Sequence, residues 1–354
     1  MIEQPTPASL GYRWPAEWEP HAATWLSWPH NRNSWPNKFE PIPGAFAEFV
    51  RVLAEHEPVN ILAGGESVMA EAQRNVGSLS AVTLHNIRTN DAWCRDHGPT
   101  FLIGPADDRP ALVDWEYNAW GGKYPPYDAD NAVPRQIAAL QNRRRFVPGI
   151  ILEGGAVEGN GCGVVLTTEQ CLLNPSRNPT LGRAEIEEYL FEFLVARKVL
   201  WLSGGEMAGD DTDGHIDQLA RFVDPSTIVA AYEDNPQDIN HESLRRNFDE
   251  LQGMTDQDGR PFKVIRLPMP SPKFFNEQRL PASYLNFYIA NGLVVVPQYE
   301  DPADRIAVET LAGLFPDRRV VGLPALDLIW GLGAFHCLSQ QEPQWYESSD
   351  CVGA

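Results

Sequence analysis

Cys337, the His215–Asp217 pair, Asp96 and Glu153 are the residues whose types and settings could carry chemistry. Cysteine is the most nucleophilic of the ordinary side chains. Cys337 ends a glycine-punctuated run, Trp330-Gly331-Leu332-Gly333-Ala334-Phe335-His336-Cys337. A cysteine by itself is more often a small buried hydrophobe. The adjacent His336 gives it no partner by spacing, because neighbours on an extended segment face opposite sides. His215 and Asp217 lie two apart in Gly214-His215-Ile216-Asp217, and on a strand they would share one face. Read alone, that histidine is as readily structural as catalytic. Asp96 in Arg95-Asp96-His97-Gly98 and Glu153 in Glu153-Gly154-Gly155 are acids set beside glycines. Each is equally readable as a solvated loop carboxylate.

Other chemistries have weaker anchors. There is no HExxH and no Cys-x-x-Cys pair, which argues against zinc. No GxGxxG or Walker A sequence occurs, so a nucleotide cofactor has no motif to hold it. The stretch Asp114-Trp115-Glu116-Tyr117-Asn118-Ala119-Trp120-Gly121-Gly122 is too polar and glycine-rich for a central strand. It suits a ligand-facing wall, with Trp120 offering a cation–π face.

The candidates must be positioned by the elements around them. Phe46, Phe49, Val50 and Leu53 recur at helical spacing and predict a helix over 42–55. Val59 to Ala63 reads as a strand and 66–75 as a second helix. Helical spacing returns at Ile186, Leu190, Phe193 and Leu194, and again after Asp301-Pro302. Asn240 is a candidate cap for a helix through Phe248. Between them lie strand-length apolar runs, including 100–103, 163–167, 199–202, 227–230, 262–267, 285–290, 293–297 and 319–323. Asn291-Gly292 joins two of these as a hairpin signal. Clusters of two or three strands between helices predict a repeated strand-rich α/β unit. Four polar segments beside glycines, around Asp96, Glu153, His215 and Cys337, suit a pseudo-symmetric ring with a central site. No long linker divides residues 1–354, so one domain is expected. A Trp/Pro-rich arm at about 12–36 would pack on it, with a strand at 22–27.

Composition sets the outer limits. The 354 residues are 43% hydrophobic, enough for a large core and too apolar for a disordered chain. The formal net charge is -20, which disfavours nucleic acid as a partner and mildly favours cations. Five cysteines, at 94, 162, 171, 337 and 351, make poor material for a disulfide framework and fit a reducing compartment. The first residues carry acids and prolines where a secretory signal would be basic and then apolar. No apolar run reaches the roughly 20 residues that cross a bilayer. A cytoplasmic protein without membrane partners is expected.

Six segments occur in one order: Asn90-Asp91-Ala92-Trp93-Cys94-Arg95-Asp96-His97-Gly98-Pro99-Thr100-Phe101, Asn118 to Gly122, Leu152-Glu153-Gly154-Gly155, Leu172 to Pro179, Asp211 to Asp217, and His336-Cys337. Together they resemble the agmatine deiminase and bacterial-type peptidylarginine deiminase family of the guanidine-modifying superfamily, from about Trp14 to Gln341. The resemblance implies a fivefold pseudo-symmetric α/β propeller, the pentein fold, with a central site and neither metal nor organic cofactor. It implies Cys337 as nucleophile, His215 as general acid and then base, and Glu153 as the residue that orients His215. Asp96 and Asp217 would bind the guanidinium nitrogens, with Trp93 and Trp120 beside the substrate.

The resemblance further implies a small cationic guanidine as substrate, agmatine first. Peptidylarginine, free arginine or another alkylguanidine stands second. A guanidine- or polyamine-binding protein without catalysis is a third reading, and a homodimer is plausible. The chain departs from the family pattern at Leu332, Ala334, Asp327 and Glu158. A glycine is usual where Leu332 stands, and an amide side chain where Ala334 stands. Glu158 would meet the far end of the substrate if it faced the pocket.

Overall fold

A computed structural model describes residues 4–105 and 110–345; Cys351 lies outside them. Four three-stranded sheets share one design: an antiparallel pair whose second strand is joined, in parallel, by a third. Their first strands are Thr100–Leu102, Glu158–Gly159, Ala220–Asp224 and Tyr288–Ala290. A fifth sheet repeats the order from both ends of the chain. There Ser339–Pro343 pairs antiparallel with His21–Ser27, which runs parallel to Val59–Leu62, and Val82–His85 is added at the edge. A parallel pair cannot be closed by a tight turn. Each unit therefore carries a crossover helix: Val133–Gln141, Arg183–Phe193, His241–Gly253, Ala303–Leu314 and Ile42–Ala54.

The sequence signals account for this repeat. Leu293–Gln298 reads LVVVPQ and is buried along almost all its length, the continuous apolar pattern of a strand covered on both faces. In Ile42–Ala54 the buried residues are those at helical spacing, Phe46, Phe49, Val50 and Leu53. The helix expected after Asp301-Pro302 is present as Ala303–Leu314, with the Asp301 carboxylate accepting from the Ala303 N–H at 3.0 Å. Asn240 does stand before His241–Gly253, yet its side chain accepts from Ala208 N instead of capping the helix.

Three local expectations give way to packing. His215 and Asp217 are not on a strand, for Ile216–Gln218 is a single 3-10 turn with His215 at its start. The run 285–290 opens as a 3-10 turn at Tyr284–Asn286 and becomes a strand only at Tyr288. Cys337 likewise sits in a helical turn, Phe335–Leu338. The N-terminal arm is more than a cover, since His21–Ser27 lies inside the fifth sheet. Trp25, Trp28 and Trp35 are packing residues, each fully buried. Among the described residues no helix is long and apolar enough to cross a membrane.

At the Asn291-Gly292 hairpin only Gly292 is left-handed, with φ 64. Asn291 is held by the arm: its side chain accepts from His21 N and donates to His21 O, both at 2.9 Å. Gly292→Val is expected to lose about 1–2 kcal/mol of stability, with Gly292→Asn losing distinctly less, as read by urea unfolding.

Candidate active site

Each unit delivers one helical turn to the centre immediately before its first strand. The turns are Cys94–His97, Gly154–Ala156, Ile216–Gln218, Tyr284–Asn286 and Phe335–Leu338. Neighbouring turns touch in that order, and the last returns to the first. At or beside these turns stand Asp96, Glu153, His215 with Asp217, Asn286 and Cys337. One geometric rule thus gathers residues far apart in the chain.

The floor of this ring is acidic and dry. Asp96 Oδ1 accepts from Gly155 N at 2.9 Å and lies 3.6 Å from His215 Nδ1, while Oδ2 accepts from Trp120 Nε1 at 3.0 Å. Burial pushes the Asp96 carboxyl up; His215 opposes this, and the neighbouring Asp217 and Glu153 charges add to it. Glu153 Oε1 accepts from Arg177 Nε at 2.9 Å. A Cβ on Gly155 would stand 2.6 Å from His215 Nδ1 and 2.7 Å from Asp96 Oδ1. The glycine beside Glu153 is therefore required by close approach.

Cys337 meets the floor through Asp217 and Asn286. Its Sγ is 3.0 Å from Asn286 Nδ2 and 3.4 Å from Asp217 Oδ2. Asn286 Oδ1 accepts from the backbone of Ala334 at 3.0 Å and of Cys337 at 3.2 Å. Burial pushes the Cys337 thiol well up, and the Asp217 and Asp96 charges push it further. His336 does not point uselessly away: its Nδ1 is 2.8 Å from Asp217 Oδ2. For Asp217, burial raises the carboxyl, but the His336 bond and charge more than reverse this and hold it below its usual range.

Four buried atoms in this group have no hydrogen-bond partner: Asp217 Oδ1, Glu153 Oε2 and both ring nitrogens of His215. Buried polar atoms are normally paired. The two carboxylate oxygens are open to donors, while the imidazole, which carries at least one N–H, is open to an acceptor as well.

Above the floor opens a cavity of about 310 Å³, within the range of small-molecule sites. Asp96, Cys337, Trp93 and Trp120 line it, together with Asp91 and Asp211. Trp93 packs on Trp35 at 5.3 Å between ring centroids and fills the space left by Gly331 and Gly333. Trp120 holds a left-handed backbone, φ 55 and ψ 47, which places its indole N–H on Asp96. The hairpin of Phe274–Phe275 and Gln278–Arg279 roofs the mouth, where Phe275 meets Trp330 at 3.6 Å between centroids. Leu332, at the rim, has φ 73, a conformation that costs a non-glycine residue about 1–2 kcal/mol.

Glu158 is not a cavity residue. It is buried behind the ring, accepting from Arg221 Nε at 2.9 Å and Phe222 N at 3.0 Å. Its charge is spent on a buried guanidinium of the protein itself. Asp327 pairs with Lys38 at 2.9 Å, also away from the floor.

Glu153, Cys171 and His215 each offer an atom within 4.8 Å of the others. This trio fits a metal poorly. Arg177 already sits on Glu153, and burial pushes the Cys171 thiol well up, whereas a metal requires the thiolate. Cys171 also differs from Cys337 in having no face on the cavity.

Comparison with known proteins places the fold in a family. The model of the Porphyromonas-type peptidyl-arginine deiminase family matches residues 13–343. The chain belongs to that family. It is 36% identical to an agmatine deiminase of Pseudomonas aeruginosa, over 96% of this chain and 97% of that one. The agmatine deiminase of Enterococcus faecalis superposes with a TM-score of 0.89 at 33% identity, covering 97% of this chain and 99% of the other. A substrate-bound agmatine deiminase of C. jejuni gives 0.87 at 32% identity, covering 94% and 96%.

Within this family fold, sequence reading missed Asn286, Arg177 and the use of His336. Asn286 occupies the fourth turn, in Ser283-Tyr284-Leu285-Asn286, and no glycine flagged it. Its signal was positional: an amide two residues before the first strand of a unit.

Gly155→Ala is expected to lower turnover at least about a hundredfold through misplacement of His215 and Asp96, with the protein still folded by circular dichroism. In the ligand-free protein, iodoacetamide is expected to label Cys337 more slowly than the exposed Cys162 at neutral pH. A cationic amidine alkylating agent should reverse that order, as read by peptide mass spectrometry.

Proposed function

We propose that this chain is an agmatine deiminase, which hydrolyses agmatine to N-carbamoylputrescine and ammonia through a covalent intermediate on Cys337. The observation that carries this reading is that Asp96 and Cys337 line the cavity while Asp217, Glu153 and His215, which do not line it, lie buried in the same ring of turns with unpartnered atoms. A guanidinium is planar and positive, and its five N–H donors suit carboxylates on two sides. Asp96 and Asp217 hold it, and their charge keeps it cationic when attacked. Its arrival brings positive charge to the Cys337 thiol, favouring the thiolate that the empty site disfavours.

The Cys337 thiol passes its proton to His215, and the thiolate adds to the guanidinium carbon. His215, whose ring lies near Asp96 and within 4.8 Å of Glu153 but is hydrogen-bonded to neither, gives a proton to the departing nitrogen, and ammonia leaves an S-linked amidino group on the enzyme. His215 takes a proton from water, which attacks the same carbon. The C–S bond breaks, and the ureido product and thiol are released. Trp93 and Trp120 flank the cation and exclude water.

The cavity favours agmatine over the other guanidines. Free arginine needs a basic partner for its carboxylate, and no Arg or Lys is among the described residues that line the cavity. A peptide needs an open mouth, which the Phe275–Trp330 contact narrows. Two further acids line the cavity and can meet a terminal ammonium: Asp91, and Asp211, which is also paired with Lys123 at 3.2 Å and accepts from Tyr124 Oη. Asp91 accepts from Asn31 Nδ2 at 3.2 Å and from Ser34, and burial, only partly offset by those bonds, pushes its carboxyl up to about 6. The chain acts as one catalytic unit in the cytoplasm.

Ammonia release from agmatine, arginine, a peptidylarginine and butylguanidine tests the reading; better turnover of any other member overturns the agmatine assignment. Cys337→Ala is expected to abolish release and the trapped adduct. Because the Asp96 carboxyl is raised, and loses its charge as pH falls, kcat/KM is expected to drop on the acid side above the ordinary Asp range of about 3.9. Asp91→Asn or Asp211→Asn should raise KM for agmatine about tenfold while leaving butylguanidine unaffected.

A further inference from the structure

The ring of turns is closed from behind by the N-terminal segment, and one carboxylate of that segment reaches four of the five units or their neighbours. Glu17 is buried. Its Oε1 accepts from Ile289 N at 2.8 Å. Its Oε2 is 2.8 Å from Arg221 Nη2, 2.9 Å from His336 Nε2 and 3.5 Å from Arg95 Nη2. Arg95 adjoins Asp96, His336 adjoins Cys337, and Arg221 lies on the strand that follows Asp217.

His336 thus stands between two carboxylates, with Nε2 on Glu17 and Nδ1 on Asp217. An ionised carboxylate accepts hydrogen bonds and does not donate them. A ring bonded to one on each side must carry a hydrogen on both nitrogens. Burial alone would raise the Glu17 carboxyl; Arg221 and His336 hold it well below the usual range. On the other side, Asp217 Oδ2 is taken by His336, Asn286 and the Cys337 thiol. Oδ1 is left without a partner.

We propose that Glu17 is a positioning residue for the guanidine reaction, acting through His336 to keep Asp217 ionised with one oxygen open for the substrate. This rests on the functional reading given above. The groups facing Asp217 are His336, Cys337, Asn286, His215, Arg221 and Asp96. Those facing His336 are Glu17, Asp217, Arg95, whose Nε donates to His336 O at 3.4 Å, and, further off, Glu158. Glu17→Gln keeps the shape and removes the charge that makes His336 a donor on both sides. Asp217 then loses its main cationic support and takes up a proton at higher pH. A merely structural contact would lower activity equally at every pH.

The test is kcat and KM for agmatine against pH in wild type, Glu17→Gln and Glu17→Asp. In the Gln variant the acid limb of kcat/KM is expected to move to higher pH and steepen. The deficit should be about tenfold near that limb and shrink as pH rises, with KM changing more than kcat. The Asp variant, which keeps the charge, should move the limb back toward wild type. A Gln profile parallel to wild type, or superposable on it, overturns the inference. If Glu17→Gln fails to fold, His336→Gln must shift the limb in the same direction, and an unshifted limb overturns it. Histidine-ring NMR of the wild-type protein at neutral pH must also show one ring, lost in His336→Gln, with both nitrogens protonated; its absence overturns the inference without any kinetics. Wild-type protein that releases no ammonia from any guanidine overturns the functional reading instead.

Discussion

The structure depends on holding several carboxylates together in a dry interior. Asp96, Glu153 and Asp217 are buried within one ring, where an uncompensated charge costs several kcal/mol. Only part of that cost is met by the protein. Arg177 bonds Glu153, and His336 bonds Asp217, yet Asp217 Oδ1, Glu153 Oε2 and the His215 nitrogens stay without partners. In the proposed reaction a guanidinium supplies positive charge and donors to these carboxylates.

Two layers make this tolerable. In the upper layer Asp96, Asp217, Asn286 and Cys337 sit on single helical turns and Glu153 and His215 just before theirs, each turn followed directly by a strand. In the lower layer charges alternate: Glu17 and Glu158 share Arg221, with Arg95 and His336 on the remaining side of Glu17. Removing one member of such a network leaves another charged group buried without a partner. The lower layer therefore fixes the geometry of the upper one. That division also explains Glu158, which stands close in sequence to Glu153 but belongs to the lower layer.

The thiol illustrates the same constraint. Beside Asp217 and Asp96, and out of water, Cys337 is held as a thiol. A site that kept a thiolate ready would need a resident cation near the sulfur, and that cation would compete with the substrate for the carboxylates. Letting the substrate supply the charge avoids the conflict. It also confines the reactive form of the sulfur to the moment when a guanidinium carbon is in place.

Sequence alone determined how the chain repeats and singled out residues that the structure gathers at one centre. Apolar runs of strand length separated by amphipathic helices specified the repeating unit, because periodicity follows from which faces are buried. The ordered motifs around Asp96, Glu153, His215, Asp217 and Cys337 specified the family. Direction and partnership were decided only by the tertiary structure. His215 and Asp217 were read as strand neighbours, but the turn at Ile216–Gln218 sends one toward Asp96 and the other toward His336 and Cys337. Glu158 was a candidate for the pocket until Arg221, from another unit, claimed it. Glu17 gave no local signal and Asn286 only its position before a first strand, since their roles come from contacts with residues hundreds of positions away or in other units. Local patterns report on burial and backbone shape, whereas which charge meets which is settled only when the five units close on one another.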